Sequence, residues 1–137
     1  MSRRVLILVA LAAALAGCGG SKGRHIALDL KGGSNETATA CGSQHHYAVF
    51  RRGQTINYSG TVKPVPSGRW KVKVKIKTCR AGTFQELAKV EATRSKGTGR
   101  FSGSLPAGGP GRYFARVSLY EAGVQTARGD KRYFVVR

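Results

Sequence analysis

From Tyr47 to the C-terminus, apolar and polar residues alternate with a period of two. Ile56, Tyr58, Gly60 and Val62 share one parity, while Thr55, Asn57, Ser59, Thr61 and Lys63 share the other, which predicts a half-buried strand ending at Pro64. Trp70, Val72, Val74 and Ile76 repeat the pattern against Lys71, Lys73, Lys75 and Lys77. Phe101, Gly103 and Leu105 give a short apolar parity, Tyr113, Ala115, Val117 and Leu119 a longer one, and Tyr133 to Val136 closes the chain. Turn signals at Pro64–Gly68, Ser95–Gly99, Pro106–Gly111 and Gly123–Asp130 separate these stretches. Phe84 to Thr93 reads two ways. Phe84, Leu87, Ala88 and Glu91 would make a helical face, and Ala88, Val90 and Ala92 a strand face; its place among strands favours the strand. About seven short strands at roughly 8–12-residue spacing predict an all-β, antiparallel two-sheet sandwich, with a small barrel as the alternative.

Before Tyr47 the texture differs. Ile26, Leu28 and Leu30 alternate with Ala27, Asp29 and Lys31, predicting one strand, and Gly32 to Ala40 reads as a polar, glycine-bearing loop. Gly19 to Arg24 has the composition of a flexible tether. At the start, Met1-Ser2-Arg3-Arg4 is a positive n-region, and Val5 to Ala16 is an unbroken apolar run. As a helix that run rises about 18 Å, short of the roughly 30 Å hydrocarbon core, so it reads as a signal peptide rather than a permanent span. The expected organisation is a signal peptide over 1–17, a tether over 18–24, an N-terminal segment over 25–46 and a sandwich domain over 47–137.

Leu15-Ala16-Gly17-Cys18 resembles the bacterial lipobox, at the edge of the apolar run where that motif falls. The resemblance implies lipidation of Cys18, cleavage before it, and a mature chain held to the outside of the cell membrane by two or three acyl chains, each buried methylene contributing about 0.8 kcal/mol. It leaves Cys41 and Cys79, an even remainder in an oxidising compartment, which suggests one disulfide. A two-cysteine metal site would lack a second ligand pair, and a reactive thiol would need an electropositive pocket. Cys79 shares the parity of the four lysines. Either the strand ends or bulges near Thr78, or the disulfide clamps the N-terminal segment over the outer face, and the clamp is favoured because residues before Tyr47 have little else to hold them.

Gly53-Gln54-Thr55-Ile56, Ser59-Gly60-Thr61-Val62, Gly68-Arg69-Trp70-Lys71-Val72, Gly99-Arg100-Phe101-Ser102-Gly103 and Gly111-Arg112-Tyr113-Phe114-Ala115 carry a further likeness. In these turns and core positions the chain resembles the immunoglobulin-like or transthyretin-like β-sandwich modules of exported proteins in actinomycete-type bacteria. That resemblance implies a scaffold and transfers no site residue. The order Cys41, Trp70, Cys79 is superficially that of an antibody-type pin, but Cys79 follows Trp70 too closely.

Charge adds the candidate chemistry. The 137 residues hold 24 Lys+Arg against 6 Asp+Glu, a net charge of +18; without Arg3 and Arg4 of the signal peptide, 22 − 6 leaves +16. Lys71, Lys73, Lys75 and Lys77 recur about every 6.6–6.8 Å along one strand face, a spacing suited to an extended polyanion. The plainer reading is a solvated face that resists aggregation. Arg51, Arg52, Arg69, Arg80, Arg94, Lys96, Arg100, Arg112, Arg116, Arg128, Lys131, Arg132 and Arg137 add positive charge with little acidic compensation. Nucleic acid is disfavoured for an exported chain without a nucleic-acid-module signature. Anionic headgroups, teichoic-type polymers and acidic polysaccharide are the expected partners.

Other chemistry is weakly signalled. His45 and His46 are adjacent and would point to opposite strand faces, so no metal ligand set is expected. Glu86 and Glu91 fall on opposite parities, and no HExxH, GxSxG or phosphate-loop pattern occurs, so neither catalysis nor a cofactor is expected. Tyr47, Phe50, Phe114, Tyr120 and Phe134 occupy both parities and either fill the sandwich ends or form an outer patch. The sequence thus reads as a lipid-anchored surface binding module meeting an envelope polyanion or anionic membrane. The alternative is a structural or adhesion-type module for another exported protein, with charge serving solubility only.

Overall fold

The computed structural model describes residues 23–95, 97–105 and 108–137. The expected signal peptide and Cys18 lie outside the described residues. Ten strands follow one another: β1 (His25–Lys31), β2 (Ser34–Ala40), β3 (Ser43–Phe50), β4 (Ile56–Lys63), β5 (Trp70–Arg80), β6 (Thr83–Glu91), β7 (Thr93–Arg94), β8 (Arg100–Leu105), β9 (Gly111–Glu121) and β10 (Val124–Val136). Among the described residues there is no helix. The strands form a four-stranded sheet, β1-β4-β8-β7, and a six-stranded sheet, β2-β3-β10-β9-β5-β6. The chain is an all-β two-sheet sandwich.

The alternating parities become the core. Ile26, Leu28, Ile56, Tyr58, Val62, Phe101 and Leu105 from the smaller sheet meet Phe50, Val72, Val74, Ile76, Ala115, Val117, Leu119, Phe134 and Val136 from the larger. Two glycines within the apolar parities have a steric cause. Tyr58 is paired in register with Gly103, and Gly60 with Phe101. Each aromatic ring lies over the glycine opposite, where a Cβ would overlap it.

The class matches the expectation, and the details extend it. Phe84 to Glu91 is strand, because β6 pairs along β5. The segment before Tyr47 carries β1, β2 and the start of β3 rather than one strand over Ile26–Leu30. β2, Ser-Asn-Glu-Thr-Ala-Thr-Ala, has only Ala38 and Ala40 on an apolar parity and is held by pairing with β3. The predicted turn over Gly123–Asp130 shrinks to Ala122-Gly123, both at positive φ, and the following residues form the first part of β10. That stretch escapes periodicity because its pairing with β9 is shifted twice, between Gln125 and Ala127 and between Arg128 and Lys131. The larger sheet is also mixed: β10 runs parallel to β3 through Phe134–Ala48, Val135–Val49 and Val136–Phe50.

Candidate functional site

β5 lies between β9 and the edge strand β6 of the larger sheet, with one face sealing the core and the other turned to solvent. Val72, Val74 and Ile76 are buried, and Lys71, Lys73, Lys75 and Lys77 project from the opposite face. The strand does not end at Thr78. It continues through Arg80, paired with Gln85, Phe84 and Thr83, and the irregularity falls in β6, where Leu87 is extra between the Ile76–Ala88 and Lys77–Glu86 pairs. Cys79 therefore does lie on the lysine face.

There it bonds Cys41, with the Cα atoms 5.8 Å apart. Cys41 and Gly42 form the tip of the β2–β3 hairpin, both at positive φ as a two-residue turn requires. The hairpin arches over the outer face. Ala40, Tyr47 and Val135 are buried together there, with Ala38, Val49, Phe84 and Tyr133 packed around them, a second small core outside the sandwich. Its aromatic rings interlock: His45 stacks on Tyr133 at 3.7 Å, Phe84 meets Phe114 edge-on at 4.8 Å, and Tyr47 meets Tyr133 at 5.6 Å. The Arg112 guanidinium donates to the Thr39 carbonyl, tying the hairpin to β9. Burial raises the Tyr47 phenol above its usual range against the lowering effect of Arg112, and raises Tyr133 against that of Arg116. The Tyr47 hydroxyl is buried and finds no partner among the described residues.

Four of the aromatics weighed as an outer patch are thus divided. Phe50 and Phe134 belong to the main core, whereas Tyr47 and Phe114 are buried beneath or beside the hairpin. Tyr120 stays partly open on the same sheet face, in register with Lys71. His46 points away from His45 and its Nδ1 lies 3.0 Å from the Thr37 hydroxyl. Among the described residues no group of three or more metal-ligating side chains converges.

The lysine row is not four equivalent free charges. Lys71 lies 3.9 Å from Glu91 and Lys75 3.8 Å from Glu86, while Lys73 sits over the Tyr120 ring at 4.8 Å and Lys77 over Phe114 at 5.9 Å. Such exposed ion pairs are weak, and a ring face holds a cation without cancelling its charge.

Strand register adds what no single strand could reveal. Lys75 is paired with Lys89 on β6 and with Arg116 on β9, and Arg116 in turn with Lys131 on β10. Lys89, Lys75, Arg116 and Lys131 therefore form a row across four adjacent strands, about 4.8 Å per step, that crosses the lysine row at Lys75. Among the described residues, Glu86 is the only carboxylate within ion-pair distance of this transverse row. The Arg116 Nε donates to the Gly129 carbonyl at 3.0 Å, and Lys131 lies over Phe114 at 4.7 Å, which hold both side chains close to the sheet. Like charges directly opposite on neighbouring strands destabilise a sheet.

The fold and this face define a disulfide-clamped β-sandwich with a basic, aromatic-studded outer sheet. No known protein-family pattern matches the chain, and no curated protein sequence matches it.

Proposed function

We propose that this chain is an extracytoplasmic binding module without catalytic activity, anchored to the cell membrane by lipid on Cys18, whose outer six-stranded face engages an anionic polymer of the envelope. The observation that carries the reading is the transverse row Lys89, Lys75, Arg116 and Lys131. Four cations in register cost the free fold stability, roughly a few tenths of a kcal/mol or more per opposed pair, and a bound polyanion turns that cost into attraction. The row crosses the row along β5, so anionic groups spaced along a chain meet cations in two directions. The hairpin folded over one end of the face favours a polymer strand over a flat lipid surface, because it projects where a bilayer would have to approach. The disulfide is compatible with an oxidising location outside the cytoplasm.

The test uses the full-length chain in neutral detergent, titrated with labelled inorganic polyphosphate across a salt series. Affinity that falls steeply with salt, and drops in a variant with Lys75, Lys89 and Lys131 changed to Gln, supports the reading. Equal affinity in the variant and the parent, or no binding at all, overturns it. A Cys18→Ser chain that is still processed and retained on membranes overturns the anchoring.

A further inference from the structure

At the end of the basic face away from the disulfide, an open groove of about 750 Å³ lies where β5 begins, β9 ends and β7 crosses from the other sheet. It is lined by Arg69, Lys71, Lys73 and Arg94 and by the rings of Trp70 and Tyr120, with the Ala122-Gly123 turn closing it. We propose that this groove is a phosphate-binding subsite, taking a phosphate-bearing unit of the polymer; the inference rests on the polyanion reading above and names where one unit is held.

The four cations come from separate places in the chain: the approach to β5, the outer face of β5, and β7. Among the described residues no carboxylate lines the groove. Glu91, 3.9 Å from Lys71, stands outside it and pairs with only one of the four. Two of the others are held by rings. The Arg94 guanidinium lies 4.7 Å from the centre of the Trp70 ring, and the Lys73 ammonium 4.8 Å from that of Tyr120. A ring face orients the cation and leaves its hydrogen-bond donors free to meet phosphate oxygens. The Ala122 amide donates to the Arg69 carbonyl at 3.1 Å, so the turn and the start of β5 form one wall. The volume falls within the range of small-molecule sites.

Trp70 is the only tryptophan in the chain, so its emission is a single reporter; the ring is packed in the main core and lines this groove and an adjoining cavity that it shares with Arg94. The full-length chain in neutral detergent is titrated with inorganic polyphosphate while Trp70 emission and the anisotropy of labelled polyphosphate are read together. A saturable Trp70 response that tracks anisotropy is expected, and Arg94→Gln and Lys73→Gln should each weaken binding about fivefold. Both side chains reach solvent, so the thermal midpoint should stay near that of the parent. Binding seen by anisotropy with silent Trp70 emission, or undiminished in both variants, overturns the groove and leaves the face reading standing. No binding by either readout removes both. In a second arm the micelles carry phosphatidylglycerol; a Trp70 response there with none to polyphosphate overturns the polymer as the source of the phosphate.

Discussion

Cys41 and Cys79 have Cα atoms 5.8 Å apart although three strand-to-strand steps, β3 to β10 to β9 to β5, separate the hairpin that carries Cys41 from the strand that carries Cys79. On a flat sheet those steps alone would amount to about 14 Å. The hairpin closes the gap by leaving the sheet plane, since β3 pairs with β10 only over Ala48 to Phe50. Its inward-facing side chains then bury Tyr47 and Ala40 against Tyr133 and Val135. One covalent bond and one small aromatic core therefore position a wall at one end of the basic face.

Removing that bond should be costly. The bridge spans 38 residues of chain, for which loop-closure entropy gives about 4 kcal/mol. Cys41→Ser with Cys79→Ser should lower the thermal midpoint by more than 10 °C, at about 4–8 °C per kcal/mol, and should increase binding of a hydrophobic dye as the aromatic cluster opens. A midpoint within a degree or two of the parent would show that the hairpin holds without the clamp.

Tyr47→Phe should have the opposite sign to most buried substitutions. The ring is fully buried and its hydroxyl lacks a partner among the described residues, so deleting the oxygen removes a desolvated polar group while keeping the packing. Stability should be unchanged or higher by about 1 kcal/mol in chemical denaturation. A loss of that size would mean that the hydroxyl is satisfied in solution.

Gly103→Ala places a methyl against the Tyr58 ring, whose Cζ stands 2.6 Å from the site. Because Tyr58 is buried in the main core, the ring has little room to move, and a loss of about 1–3 kcal/mol is expected. Gly68→Ala is the control, since its methyl would meet nothing within 4 Å and its φ is ordinary. Equal effects from the two would contradict the packing of Tyr58 over Gly103.

Lys89→Glu separates stability from binding. It replaces a like-charged partner of Lys75 by an opposite one, so the free chain should gain about 0.5 kcal/mol. Polyphosphate affinity should fall at the same time, by more than for the same two-unit charge change at a remote position, Arg51→Glu. Gains or losses in both properties together would argue against the transverse row as a binding feature.

Alkaline pH should unfold the chain through its phenols. Burial raises Tyr47, Tyr58 and Tyr133 above the ordinary value of 10.0, which favours the protonated form in the folded state. Their contribution is complete below pH 10 and is lost as pH rises through the raised folded values. Tyrosine ionisation followed by ultraviolet absorbance should lag behind that of free tyrosine and then coincide with loss of the β signal in circular dichroism. Free-tyrosine behaviour throughout would remove this source of pH dependence.

Much of the sandwich was legible as one-dimensional pattern. Val72, Val74 and Ile76 against Lys71, Lys73, Lys75 and Lys77 specify a two-faced strand whatever its neighbours, because successive side chains on a strand point to opposite sides. The parity of Cys79 likewise favoured a partner on the outer face over a strand end or bulge near Thr78, and an even cysteine remainder suggested Cys41. β2 and the first half of β10 were not legible, since their polar residues become strand only by pairing with β3 and β9. The row Lys89, Lys75, Arg116 and Lys131 lies further still from the pattern. Its members sit on four strands, and which residue faces which is set by register, a property of hydrogen-bonded pairs rather than of any strand alone. The groove at Trp70 needed the sheets to meet, bringing Arg94 of one onto a ring of the other. Local alternation thus decided which side chains face solvent, and tertiary pairing decided which of those come together as a site.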